Sequence, residues 1–216
     1  MYLRLIRWMF ARFYRQFAWT YDVVAALVSW GRWRRWTLAA LPALSGDILE
    51  LGCGTGNLQA ALNDVLIAHN LGSVSGVDAS AQMLHLARRK APQARLARAD
   101  AGALPFLHAS FDHVVATFPS EYIAAPATLA EVRRVLRPGG RLLVVLGAQL
   151  AGPEAYQSLV TLAYRLFLLH PPSSQGPAGS ATTLLATIAQ AGMEASDTWI
   201  AIEGSWIYLI TATAIE

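Results

Sequence analysis

The sequence is poor in several residue types, and each shortage excludes a class of protein. A single cysteine in 216 residues excludes an internal disulfide and a cysteine-based metal cluster. The five histidines lack the spacing typical of a zinc site. Charged residues make up only 14% of the chain and hydrophobic ones 55%, which argues against disorder. No uninterrupted apolar run reaches the roughly 18 residues that a membrane-spanning helix needs.

Lysine is almost absent, and the arginines that replace it are unevenly distributed. Lys90 is the only lysine, whereas residues 1–36 contain seven arginines, five tryptophans and one acid, Asp22. Residues 2–19 predict an amphipathic helix with arginines on one face, and a second helix is predicted over 21–41. We interpret residues 1–45 as a helical cap. A lid packed on the core is favoured, and a peripheral contact with the inner face of a membrane is the alternative. Nucleic-acid binding is disfavoured because no reader motif is present.

From residue 46 onward, apolar runs that end in glycine or an acid alternate with helix-length segments. Helices are predicted over 57–69, 80–90, 127–136, 153–169 and 181–191, with a Pro/Gly/Ser-rich loop at 170–179. Residues 193–202 and 205–214 alternate around Glu203-Gly204 and predict an antiparallel hairpin. This pattern predicts an α/β domain over 46–216 with a mostly parallel sheet and helices on both faces. Residues 153–180 are interpreted as an inserted helix and substrate-side loop.

The stretch "DILELGCGTGN" (47–57) predicts a strand that enters a tight glycine turn. Gly52, Gly54 and Gly56 have the spacing G-x-G-x-G, so the third glycine comes one residue too early for a dinucleotide fingerprint. The turn has no lysine, which excludes a P-loop. Asp78 and Asp100 end the next two predicted strands, so both carboxylates are expected near the turn.

Together, "ELGCGTG", "GVDAS", "RADAGALPF" and "EVRRVLRPGGRLLVV" resemble the motifs of class I S-adenosylmethionine-dependent methyltransferases, over about residues 40–216. The resemblance implies a Rossmann-like seven-stranded sheet, with Asp78 bound to the ribose hydroxyls and Asp100 to the adenine amino group. Ala79, Met83 and Ala101 would flank the adenine. The other implied cofactor contacts are Tyr21, Glu50, Gly52, Cys53, Gly54, Gly56, Thr117 and Phe118. Glu50 could anchor the turn, hold the methionine ammonium through water, or cap the next helix.

A narrower resemblance joins "YDVVAALVSWGRWRRW" (21–36) and "ADAGALPF" to the ubiquinone/menaquinone-biosynthesis C-methyltransferases. It implies that Tyr21 lies near the methionine end of the cofactor. It also makes Ser29, Gly31, Arg32 and Trp36 helix-packing or capping positions. Beyond residue 150 the chain departs from that family's pattern.

These resemblances imply methyl transfer by in-line displacement from S-adenosylmethionine to a small, lipophilic or aromatic acceptor. The products would be S-adenosylhomocysteine and the methylated acceptor, and no metal is expected. Candidate general bases are Tyr21, Glu121 and His170, and candidate pocket residues are Phe118, Tyr122, Tyr156 and Tyr164. Lipid-amine methylation at a membrane and a non-catalytic assembly protein that binds the cofactor are the alternatives. We expect a cytoplasmic monomer or dimer that does not methylate nucleic-acid bases, because "FPSEY" has no Asn or Asp before its proline.

Overall fold

The structure is a computed structural model that describes residues 29–69, 72–150 and 176–214. Its α-helices are α1 (Trp33–Thr37), α2 (Asn57–His69), α3 (Ala81–Lys90), α4 (Pro126–Val135) and α5 (Gly176–Gln190). Its strands are β1 (Ile48–Leu51), β2 (Val74–Asp78), β3 (Arg95–Arg98), β4 (Phe111–Thr117), β5 (Leu136–Leu150), β6 (Met193–Ile202) and β7 (Ser205–Ala214). Two short 3₁₀ helices, Leu41–Ala43 and Glu121–Ala124, precede β1 and follow β4.

The seven strands form one sheet in the order β3-β2-β1-β4-β5-β7-β6. The first five strands are parallel, and β7 runs antiparallel to both β5 and β6. The predicted hairpin is confirmed, and its turn residues Glu203 and Gly204 both have positive φ, as a two-residue turn of this kind requires. The predicted fold class is therefore confirmed. The reversal of strand order between β1 and β4 leaves a crevice at the carboxyl ends of the strands, where such sheets bind ligands.

Burial on both faces of the sheet explains why its central strands are continuous apolar runs. All four residues of β1 are buried, and β2 and β4 are buried over most of their length. One face packs against α4 and α5 through Val132 and Leu184, and the other packs against α2 through Leu58 and Leu62. The core therefore holds the glycine turn, which follows β1, between two well-packed layers.

The segment before β1 corrects the predicted helix over 21–41. The chain turns at Trp30 and Gly31, both with positive φ, and α1 then extends over only five residues. Ser29 is buried and accepts a hydrogen bond from the amide of Trp33, the first residue of α1, whose N-cap position is Arg32. Trp36 is buried in the same cluster as Ile48 and Leu58, so this part of the cap is continuous with the core of the domain.

The region after β5 corrects the predicted loop over 170–179, because α5 begins at Gly176 and continues to Gln190. The predicted helix over 153–169 and the predicted amino-terminal helix lie outside the described residues. Among the helices that are described, none is long and apolar enough to cross a membrane.

Candidate cofactor and acceptor site

The three glycines of the turn each have a different reason to lack a side chain. All three have positive φ, which glycine adopts without steric cost. A Cβ on Gly52 would lie 2.5 Å from the Tyr122 hydroxyl, and one on Gly56 would lie 2.8 Å from the Ala87 Cα of α3. A Cβ on Gly54 would meet only the Gly52 carbonyl oxygen at 3.9 Å. Gly52 and Gly56 therefore admit parts of the protein itself, whereas space next to Gly54 remains for a ligand.

Asp78 lies at the tip of β2, directly across from this turn. Its carboxylate accepts hydrogen bonds from the Gly54 amide at 2.9 Å and from the Ser80 amide at 2.8 Å. A carboxylate has about four acceptor positions, so two remain for a pair of neighbouring hydroxyl groups. The backbone bonds fix the direction of the carboxylate, and it is half-buried rather than sealed. These features fit the predicted role of Asp78 toward a ribose.

Glu50 is a buried acid at the base of the turn, with only 2% of its surface exposed. Its Oε2 accepts a hydrogen bond of 2.9 Å from the side-chain amide of Gln59, which lies in the first turn of α2. The interpretation of Glu50 as a helix cap is wrong, because its partner is this side chain and not a backbone amide of α2. Burial, and to a lesser extent the charge of Asp78, raise the pKa of Glu50 to about 8, against the opposing Gln59 bond.

Cys53 lies within the turn and is buried. Burial, together with the nearby acids Glu50 and Asp78, raises the pKa of its thiol well above the usual range. A thiolate nucleophile is therefore disfavoured here. The Cys53 backbone contributes instead, since its amide donates to the Val77 carbonyl and ties the turn to β2.

Asp100 lies in the loop after β3, on the side of the sheet where the adenine is predicted. Its side chain is exposed and accepts a 2.8 Å hydrogen bond from the Gly102 amide, which shapes the turn that contains Ala101. The second Asp100 oxygen has no recorded partner among the described residues. Ala79 is exposed, and Met83 is half-buried in the first turn of α3. The roles of these residues toward an adenine remain predictions.

Aromatic side chains lie at the carboxyl end of β4. Phe118 has a positive φ of 48°, an uncommon conformation for a bulky residue, and its amide donates to the Val145 carbonyl at 2.7 Å. The Phe118 ring stacks on Trp33 with centroids 4.5 Å apart, and Trp36 lies 6.4 Å away. The segment before β1 thus contributes two tryptophan rings next to Phe118, a contact that the sequence motifs did not predict. The clustering of tryptophan before residue 37 was the available signal.

Of the predicted site residues that the structure describes, those around the glycine turn, Glu50, Gly54 and Asp78, lie close together. Tyr122 donates a hydrogen bond to the Leu51 carbonyl beside Gly52, and Thr117 ends β4 next to Phe118. Glu121 is exposed in the 3₁₀ helix that follows. Tyr21, Tyr156, Tyr164 and His170 lie outside the described residues, so their roles stay predictions. The sequence analysis did not predict Gln59 as a site residue. Its position next to Leu58, which is buried, was a usable signal that this polar side chain would be buried too.

Other polar groups in the sheet are structural. His113 is buried in β4, and its Nδ1 lies 2.8 Å from the Ser45 carbonyl and its Nε2 3.0 Å from Arg141. Burial lowers the pKa of this imidazole, which favours its neutral form. Two cavities lie away from the glycine turn, one beside Arg95 and Phe111 and the other between α4 and α5. Within the described residues, no group of three or more acidic, histidine or cysteine side chains could hold a metal ion.

Comparison with known proteins agrees with this geometry. A family model described as a methyltransferase domain matches residues 48–140. A demethylmenaquinone methyltransferase from Thermus thermophilus is 37% identical over 156 residues, which cover 68% of this chain and 67% of that protein. The chain belongs to the class I S-adenosylmethionine-dependent methyltransferases. Similar quinone-related members include a demethylmenaquinone methyltransferase from Beutenbergia cavernae, 39% identical over 57% of this chain and 52% of that protein.

Solved structures of the family support the fold. An S-adenosylmethionine-dependent methyltransferase from Thermotoga maritima has a TM-score of 0.59 at 19% identity, covering 94% of this chain and 99% of the other. Identity at this level indicates a shared fold alone. The chain spans about half the length of several curated relatives that it matches, including the Beutenbergia cavernae protein.

Proposed function

We propose that the protein transfers a methyl group from S-adenosylmethionine to a small, lipophilic acceptor of the quinol or phenol type. One observation carries the assignment of the cofactor. Asp78 accepts a hydrogen bond from the amide of Gly54, which is the only glycine of the turn with free space around it. The family membership supports the same assignment. The acceptor half is supported by the Trp33–Phe118 stack at the end of β4 and by relatives named for menaquinone precursors.

The described residues fit an adenosylated amino acid. Asp78 would accept hydrogen bonds from the two ribose hydroxyls, as charge-assisted bonds that select a vicinal diol. Gly54 would allow the ligand to approach the backbone closely, and Glu50 would face its amino group from below the turn. Asp100 would accept from an exocyclic amine of the base. When bound, S-adenosylmethionine supplies a methyl group on a positively charged sulfur, so the leaving group needs no protonation.

The protein's contribution to the chemistry is alignment and exclusion of water. The Trp33 and Phe118 rings, tilted by 32° relative to each other, offer apolar surface against which an aromatic acceptor would pack in an offset arrangement. Holding two reactants in line can lower the barrier by on the order of 7–11 kcal/mol. An acceptor carbon or hydroxyl loses one proton as its new bond to the methyl group forms. Of the candidate bases, Glu121 is the one that lies within the described residues, on the 3₁₀ helix after β4, and it would receive that proton.

An acceptor screen tests this function. Purified protein is incubated with S-adenosylmethionine and a prenylated naphthoquinol, a prenylated phenol or phosphatidylethanolamine, and release of S-adenosylhomocysteine is measured. We expect turnover with the quinol or phenol, loss of turnover in Asp78→Asn, and none of that loss in Asp64→Asn, which changes an exposed acid of α2. Turnover with phosphatidylethanolamine alone would replace the proposed acceptor class. Failure to bind S-adenosylhomocysteine would overturn the cofactor assignment as well.

A further inference from the structure

Gln59 is a fully buried polar residue directly beneath the glycine turn. Its Nε2 donates to Glu50 at 2.9 Å and to the Ser75 carbonyl of β2 at 3.3 Å. Gly76 gives it room, because a Cβ there would lie 3.0 Å from the Gln59 amide. The side chain is thus held between α2, β1 and β2, with its amide directed at one acid.

That acid, Glu50, has no positive charge to balance it within the part of the chain that the structure describes. The groups that face it are the carboxylate of Asp78, the buried thiol of Cys53 and the neutral amide of Gln59. Asp78 disfavours a second negative charge, and burial disfavours any charge. Burial and the neighbouring Asp78 raise the pKa of Glu50, so they favour its protonated form while the site contains no cation.

The Gln59 amide can serve both protonation states of its partner. Its Oε1 is buried and has no hydrogen-bond partner, whereas its Nε2 has two. An ionised Glu50 accepts from Nε2, and a protonated Glu50 still accepts from Nε2 through its carbonyl oxygen, while the Ser75 carbonyl holds the amide in place.

We propose that Gln59 is a positioning residue that allows Glu50 to change protonation state, so that binding of the cofactor releases a proton from Glu50. This inference depends on the proposed function, because the amino group of S-adenosylmethionine or S-adenosylhomocysteine supplies the cation. A positive charge near the carboxyl favours its ionised form. The O–H proton of Glu50 leaves to solvent, and the ionised carboxylate keeps its hydrogen bond from the Gln59 Nε2.

Titration calorimetry with S-adenosylhomocysteine tests the proton release. Binding is measured at pH 7 in phosphate and in Tris, two buffers whose ionisation heats differ, so the difference in binding heat counts the protons. We expect roughly 0.5–1 more proton released by the unaltered protein than by Glu50→Gln. The ligand's own titration is common to both and cancels.

The role of Gln59 is tested by the pH dependence of the same binding. Because the Gln59 bond lowers the pKa of Glu50, Gln59→Met should move the midpoint of the affinity–pH curve upward by about one unit. Gln93→Met, which alters an exposed loop residue, should leave the midpoint unchanged. A purely structural role for Gln59 would weaken binding at every pH without moving the midpoint, and that result would overturn its positioning role.

The outcomes separate this inference from the proposed function. No binding of S-adenosylhomocysteine by the unaltered protein contradicts the proposed function itself. Binding with equal proton release in the unaltered protein and in Glu50→Gln overturns the inference and leaves the function intact. The Glu50→Gln comparison is informative even if Gln59→Met does not fold, which circular dichroism checks.

Discussion

Acidic side chains lie near both ends of the parallel strands, but in opposite surroundings. The amino ends of the strands are called the amino edge here, and their carboxyl ends the carboxyl edge. At the amino edge, Arg137 pairs with Asp47 at 2.8 Å and with Asp112 at 2.6 Å. Hydrogen bonds from Ser73, and then from Arg137, hold the pKa of Asp47 below its ordinary value. At the carboxyl edge, Glu50 and Asp78 form no ion pair with any described residue, and the pKa of Glu50 is raised.

This difference separates charges that stabilise the protein from charges that are available to a ligand. Paired carboxylates at the amino edge join the start of β1 to the loops around it, and their interactions are complete within the protein. At the carboxyl edge, backbone amides and one glutamine amide orient the acids and leave acceptor positions open. Changes at the amino edge should therefore alter stability without altering binding, whereas changes at the carboxyl edge should alter binding.

The largest effect is expected from Asp78→Asn. Losing a charged acceptor for two hydroxyl groups should weaken S-adenosylhomocysteine binding by about 100-fold or more, measured by calorimetry. Asp64→Asn is the control, since it removes an exposed acid of α2 and should bind normally. Near-normal binding by Asp78→Asn would remove the contrast between the edges.

Glu50→Gln should stabilise the ligand-free protein, in contrast to most changes of a buried residue. The raised pKa means that the folded state disfavours the ionised form, so Glu50 makes the protein progressively less stable as the pH rises from the ordinary pKa of 4.5 toward 8. We expect a Tm several degrees above that of the unaltered protein at pH 8 and a small difference at pH 5. An equal or lower Tm at pH 8 would contradict the unpaired burial of this acid.

Trp33→Leu should impair use of the acceptor while leaving the cofactor in place. Removing the ring that stacks on Phe118 should lower kcat/KM for a quinol by roughly 10-fold, mainly through KM, because an aromatic contact is worth about 0.5–1.5 kcal/mol. The affinity for S-adenosylhomocysteine should not change. Trp206→Leu, which alters a tryptophan with 48% of its surface exposed on β7, is the matched control. Equal losses in the two variants would show that Trp33 has no specific role.

Arg137→Met is expected to have the smallest effect, and only on stability. Asp47 has a lowered pKa, so its contribution to stability is present above the ordinary pKa of 3.8 and is lost as the pH falls through the lowered pKa. The variant should melt a few degrees lower at pH 7, with a difference that shrinks in acid, because exposed pairs contribute little. Weaker S-adenosylhomocysteine binding in this variant would break the separation between the edges.

The sequence predicted those parts of the site in which the backbone conformation requires a particular type of residue. The glycine turn and Asp78 are such features, since positive φ and a strand-end acid leave a readable pattern. The Gln59–Glu50 pair joins two elements nine residues apart, and no motif encodes it. The break at Trp30–Gly31 was missed because apolar periodicity continues through it, and the helix at 176–179 because proline and glycine resemble a loop.

A crystal structure with S-adenosylhomocysteine tests the central claim most directly, namely that the carboxyl edge between β1 and β2 holds the adenosine. We predict that both ribose hydroxyls lie about 2.5–3.0 Å from the Asp78 carboxylate oxygens, with the adenine amino group next to Asp100. A ligand bound in the cavity between α4 and α5, or one whose ribose does not touch Asp78, would contradict it.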